Sequence, residues 1–251
     1  MRKKKATLDD ILKILNEIVK INLETLNYSK LILKQLSNNN NDESDKNSNG
    51  NRSVMPIVDF RFGEQYYVND FLQLNNPTLK AIVSKITFNS NDEKVKAITE
   101  YIKKNYTYPF MMDGTPSCGG YFLRFQKDNR FKGWYWKAIR DYMWSFPVEC
   151  AIQGYGICID TSNLAFSLLR MLGVQAKVCL GAVYETKSGQ LLGYHAWVEV
   201  PYKNETYVFE TTIHPDGENL LPARVVYGKK MDVYYVKEAE YDEEEYREIQ
   251  S

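Results

Sequence analysis

Between Leu8 and Leu36 the apolar positions Leu8, Leu12, Leu15, Val19, Leu26, Leu33 and Leu36 follow a three-and-four-residue rhythm, and Ile11 and Ile18 widen the stripe. That spacing predicts an amphipathic helix within residues 1–36. Asn22 sits in the seam, where a buried amide typically fixes register and oligomeric state. Two readings stand: a coiled-coil helix that forms a homo-oligomer or docks on a partner through residues 8–36, and a helix packed on the protein's own core. Residues 37–53 are rich in Asn and Ser and contain no large apolar side chain, so they are expected to act as a flexible tether.

Residues 54–251 carry the pattern of a globular domain. Val95, Ile98 and Ile102 predict a helix over about 91–106, capped by Asn91 or Asp92 and ended by Tyr108-Pro109. From 111 to 146 aromatic residues crowd the chain, among them Trp134, Trp136 and Trp144, and are expected in a core or a cleft wall. Leu164, Ala165, Leu168, Leu169 and Leu172 then mark the buried face of a second helix that starts near Cys158 and stops at Gly173. Beyond it the period changes to two, predicting strands over 174–183, 194–200, 206–211 and 231–236. A helical half followed by a largely antiparallel sheet is an α+β plan.

Composition narrows the function more than the fold. A chain of 251 residues with 44% hydrophobic content suits one packed domain with appendages. Its 32 basic and 32 acidic residues cancel, which argues against nucleic acid or an anionic membrane as partner. The basic start (Arg2 to Lys5) and the acidic run Asp242 to Glu245 read as solvated segments. Asp9, Asp10, Lys13 and Glu17 break the first apolar stretch too often for a signal peptide, and no run nears the roughly 20 apolar residues of a membrane span. A cytoplasmic protein with reduced thiols is therefore expected. Cys118, Cys150, Cys158 and Cys179 show neither CxxC nor zinc-like spacing, so neither metal nor other cofactor is expected.

One of these cysteines is placed for chemistry. A helix N-terminus favours a thiolate through its unpaired N–H groups, and Cys158 stands at one, behind Gly154 and Gly156. Asp160 is read as a helix cap. A base must come from elsewhere, and the chain has only two histidines, His195 and His214. His214, in His214-Pro215-Asp216-Gly217, reads as a turn residue. His195 shares a strand face with Trp197 and Glu199. Glu210, on the following strand, lies directly opposite His195 if the hairpin centres between Tyr202 and Lys203, and falls on the other face after a half-residue shift. A carboxylate there would hold the imidazole's tautomer and stabilise its cation. Cys118 is the rival nucleophile but lacks a following helical run, whereas Cys150 and Cys179 read as buried hydrophobes.

The ordered set Trp144-Ser145-Phe146-Pro147-Val148-Glu149, Gly156-Ile157-Cys158-Ile159-Asp160, Leu168 to Gly173, His195-Ala196-Trp197-Val198-Glu199-Val200 and Val208-Phe209-Glu210-Thr211-Thr212 resembles the landmarks of the transglutaminase-like superfamily. The resemblance implies a papain-like domain with Cys158, His195 and Glu210 as catalytic residues and a protein or peptide as substrate. Glu210 stands where that family usually has Asp. For the oxyanion, Gln153 corresponds to the glutamine of papain relatives and Trp144 or Trp136 to the tryptophan of animal transglutaminases, with Gln153 preferred. Hydrolysis of a peptide, isopeptide or side-chain amide is the leading expectation. Transamidation is a second reading, and a non-catalytic role in a multi-subunit or viral assembly is a third.

Overall fold

The computed structural model describes residues 55–61, 64–86, 88, 90–110, 124–125, 144–212 and 218–249. The expected helix at 8–36, the tether at 37–53, Cys118, Trp136, His214 and most of the aromatic stretch lie outside them.

The described chain opens with the antiparallel pair β1 (Ile57–Arg61) and β2 (Glu64–Tyr67), a 3₁₀ turn (Val68–Phe71) and helix α1 (Pro77–Val83). Helix α2 (Asn91–Asn105) follows. Its cap is Ser90 rather than Asn91 or Asp92. Ser90 Oγ accepts from the Glu93 N–H at 3.2 Å, and Glu93 Oε2 accepts from the Ser90 N–H at 3.3 Å. This reciprocal box needs Glu three positions after the cap, which only Ser90 has. After the short pair β3 (Pro109–Phe110) and β4 (Arg124–Phe125) come helices α3 (Pro147–Gln153) and α4 (Cys158–Met171).

Strands β5 (Lys177–Glu185), β6 (Leu191–Tyr202), β7 (Glu205–Phe209) and β8 (Leu220–Pro222), a short helix α5 (Ala223–Val226), and strands β9 (Val233–Tyr241) and β10 (Tyr246–Glu248) complete the order. The last six strands form one antiparallel sheet ordered β10-β9-β5-β6-β7-β8. The α+β expectation therefore holds across the described residues. The strand expected at 231–236 begins two residues later and runs on to Tyr241. β8, α5 and β10 were not foreseen, being three or four residues long.

Helix α4 is the centre of the core. Leu164, Ala165, Phe166, Leu168 and Leu169 are fully buried and pack with Ile98 and Ile102 of α2 and with Val178, Ala196 and Val198 of the sheet. Gly173, at φ +77°, closes the helix. Its N–H bonds to the Arg170 carbonyl at 2.9 Å and the Val174 N–H to the Leu169 carbonyl at 3.0 Å, the paired bonds of a left-handed glycine stop.

At the other end of α4, Asp160 does more than cap. Its fully buried carboxylate accepts from the Ile157 N–H at 3.1 Å and from the Ser145 N–H at 2.7 Å, tying the start of α4 to the segment before α3. Asp160→Ala would orphan two buried donors, so a loss of roughly 2–5 kcal/mol is expected in urea denaturation. A change below about 1 kcal/mol would remove this clamp from the account. No helix among the described residues is long and apolar enough to cross a membrane.

Candidate active site

Three local structures bring the candidate residues together. Gly154, at φ +72°, ends α3, and the chain turns within four residues into α4, whose first residue is Cys158. Thr211, just past β7, pins that end of the helix: its hydroxyl lies 2.8 Å from Thr161 Oγ1 and 3.2 Å from Ser162 Oγ. β7 stops at Phe209, whose partner on β6 is Val198, so β6 runs on past it and presents His195 beyond the end of its neighbour.

The hairpin that sets the register turns on Lys203 and Asn204, both at positive φ (49° and 62°), which makes a two-residue turn matching the strand twist. The turn therefore centres between Lys203 and Asn204, one full residue beyond the centre that would set Glu210 against His195. The pairing Val198↔Phe209, extended by one step, sets Glu210 opposite Trp197. A full-residue move keeps the face and changes the position, so Glu210 reaches His195 diagonally. Its Oε2 lies 2.6 Å from His195 Nε2, with side-chain exposures of 2% and 16%.

The carboxylate is saturated with donors. Oε1 accepts from the Thr212 N–H at 2.9 Å and the Thr212 hydroxyl at 2.7 Å, and Oε2 accepts from the Tyr235 hydroxyl at 2.8 Å. Its backbone is held to Asn219 through Glu210 N–H to the Asn219 carbonyl (2.8 Å) and Asn219 Nδ2–H to the Glu210 carbonyl (2.7 Å). Burial pushes the Glu210 carboxyl up, but His195 and the Thr212 donors outweigh it and hold it below its ordinary value. Burial likewise pushes the His195 imidazole down. The Glu210 carboxylate and a hydrogen bond with Cys158 overcome it and raise the imidazole to about 10. With Nε2 committed to Glu210, Nδ1 is the nitrogen left for the Cys158 sulfur.

Because the folded value lies above the ordinary 6.5, the imidazolium pair adds stability in full below that pH and loses it as pH rises towards about 10. The depressed Glu210 acts in the opposite window: its contribution is present above 4.5 and is lost as pH falls through the lowered value.

Among the described residues no hydrogen bond ties Gln153 to the Cys158 thiol. Gln153 is the last residue of α3, and its Oε1 is buried without a hydrogen-bond partner. Trp144 is half-buried in an aromatic cluster, edge-on to Phe71 at 5.2 Å, and its neighbour Ser145 is tied to the first turn of α4 by the Ser145–Asp160 bond. Tyr235 has no part in the sequence landmarks, and Thr211 and Thr212 stand there only as the neighbours of Glu210, without a role of their own. The two threonines follow Glu210 directly, but Tyr235 comes from a strand two away from His195 in the sheet, a proximity without local signal.

Among the described residues one group has metal-ligand spacing, Cys179, Glu199 and Glu240, with ligand atoms within 4.8 Å of one another. Lys237 Nζ already bridges those carboxylates, 3.0 Å from Glu199 and 2.7 Å from Glu240, so a cation stands there without a metal. A groove of about 350 Å³ between α2 and the β6–β8 end, lined by Lys96, Lys103, Tyr202, Tyr207 and Asn219, includes neither Cys158 nor His195.

A family model of the transglutaminase-like superfamily matches residues 129–209. The chain carries a transglutaminase-like core. The match takes in Cys158 and His195 and ends one residue before Glu210. No curated protein matches the chain. Among solved structures, EGTA-treated LapG of Legionella pneumophila is similar over 73% of this chain and 84% of its own, at 13% identity and a TM-score of 0.43. Calcium-bound LapG is similar over 68% and 86%, at 14% identity and 0.35. A candidate cysteine protease from Cytophaga hutchinsonii is similar over 72% and 53%, at 14% identity and 0.36.

Within this transglutaminase-like core the described thiols differ in access: Cys150 and Cys179 are buried, while Cys158 is half-buried. Burial also pushes the Cys179 thiol well above its ordinary range. Brief iodoacetamide treatment followed by peptide mapping should therefore find Cys158 modified well before Cys150 or Cys179. Preferential labelling of Cys118 would move the nucleophile elsewhere.

Proposed function

We propose that this protein is a thiol-dependent acyl-transfer enzyme, a cysteine hydrolase acting on a peptide, isopeptide or side-chain amide bond. The observation that carries this reading is the His195 imidazole held between the Cys158 thiol and the buried Glu210 carboxylate. Cys158 Sγ attacks the amide carbon as a thiolate whose proton rests on His195 Nδ1 as the imidazolium. The C–N bond breaks as the imidazolium returns that proton to the departing amine, leaving a thioester. Water then attacks the thioester, giving its proton to His195, and releases the acid while the thiolate is restored. Glu210 stays ionised throughout and stabilises the imidazolium. The Cys158 backbone N–H is the first oxyanion donor, and Gln153 or Trp144 supplies a second after a shift on substrate binding.

Intact-mass spectrometry with a panel of amide substrates tests this directly. A thioester adduct on Cys158 that decays to acid supports hydrolysis, whereas decay to a new amide when a primary amine is added makes the enzyme a transamidase. No adduct from any substrate, with Cys158 still open to iodoacetamide, would favour a binding role for the fold.

The Leu and Val seam of residues 8–36, with Asn22 within it, supports self-association or docking on a partner. Sedimentation should give a larger assembly for the full chain than for one starting at Val54. Equal monomer masses, with no partner recovered, would count against it.

A further inference from the structure

We infer that Tyr235 is a positioning residue for the Glu210–His195 pair, setting how firmly the carboxylate holds the imidazolium proton; the inference rests on the function proposed above. Its hydroxyl donates at 2.8 Å to Oε2, the same oxygen that faces His195 Nε2, while both donors from Thr212 go to Oε1. The two oxygens are therefore not equivalent. Thr212 anchors one, and Tyr235 shares the other with the histidine.

The sheet is built to let this happen. Tyr235 lies on β9, and β5 separates β9 from the strand of His195. The β5 residue paired with His195 is Gly181. A Cβ at Gly181 would lie 2.0 Å from the Val236 carbonyl oxygen and 3.0 Å from Trp197 Cη2, so only glycine lets β9 and the aromatic rings close over this point. The Tyr235 ring then stands edge-on to His195 at 5.6 Å and packs on Trp197 at 5.1 Å. Trp197 is fully buried, and its indole N–H donates to the Tyr227 hydroxyl at 2.9 Å. The phenol thus has a fixed wall behind it, and its hydroxyl has one direction in which to point.

A donor on a carboxylate spreads its negative charge and makes it a weaker base. Without the Tyr235 hydroxyl, Oε2 would grip the imidazolium proton harder. The same imidazolium must give up a proton to the leaving amine, so too firm a grip slows that step.

The test uses the full-length protein. With only two histidines in the chain, NMR titration of the His195 ring is read without crowding. Tyr235→Phe keeps the ring and removes the hydroxyl. His195 should titrate about half a unit higher than in the parent, with kcat lower by up to about threefold and KM unchanged. Site-specific 3-fluorotyrosine at position 235, a stronger donor, should move the His195 titration down instead. Opposite signs in the two variants are beyond what lost packing would produce, and far-ultraviolet circular dichroism checks that both are folded. An unmoved titration in both, or a downward move in Tyr235→Phe, would overturn the inference. A parent His195 that titrates as an ordinary imidazole would instead overturn the function beneath it.

Discussion

Replacing Cys158 with alanine should abolish amide turnover, with kcat falling by about 10⁵-fold to 10⁶-fold, while the protein unfolds at nearly the parent temperature. The first half follows from the chemistry, because no other atom can form the thioester and nucleophile deletions in acting triads cost of this order. The second follows from the packing. Cys158 is half-buried at the first residue of α4, and the helix is held there by Asp160, by the Thr161 and Ser162 contacts to Thr211, and by the leucines further along. Losing one sulfur at that rim removes few contacts. Turnover by the alanine variant within about tenfold of the parent would end the assignment of Cys158. The same variant should fail to form any adduct in the mass-spectrometric experiment, separating a missing nucleophile from a merely slow step.

What the sequence disclosed was set by how local each signal is. The helix after Cys158 was legible because its leucines repeat at helical spacing and Gly173 follows, and every bond of its closing turn lies within six residues. The face shared by His195 and Glu210 was legible only as one of two outcomes, since period two fixes the faces of each strand but a half-residue shift of the hairpin would have set the two residues on opposite sides. Their relative position was not legible, because it hangs on which two residues adopt positive φ in the turn, and neither Lys203 nor Asn204 is the glycine that marks such a site. Tyr235 was invisible for a different reason. Its approach to Glu210 needs β9, β5, β6 and β7 in the observed order with a bare Gly181 between, and a strand order is a property of the assembled sheet rather than of any window of the chain. The oxyanion partners fell between these cases. Gln153 has suggestive spacing, yet among the described residues no hydrogen bond ties it to Cys158, and spacing cannot say which way a side chain turns at the end of a helix.

The diagonal register gives the second large effect and explains the residue type. Glu210→Gln should fold and leave Thr212 bonded to the remaining carbonyl oxygen, but it removes the charge and turns an amide N–H towards His195 Nε2. The imidazolium then loses the partner that, with Cys158, raises it to about 10, so the His195 titration should fall and kcat should drop by about 100-fold to 10,000-fold. Glu210→Asp tests geometry with the charge kept. It withdraws the carboxylate by about one C–C bond, roughly 1.5 Å, from a histidine that lies two residues along the neighbouring strand rather than directly across from it. A misplacement of that size costs on the order of 100-fold in an oriented site. Aspartate should therefore fail here although the superfamily commonly carries it, and Tyr235 and Thr212, placed for the longer side chain, would lose their acceptor together. Full activity in Glu210→Asp would mean that the backbone after β7 can follow the shorter side chain, and the diagonal reach would no longer account for glutamate at this position.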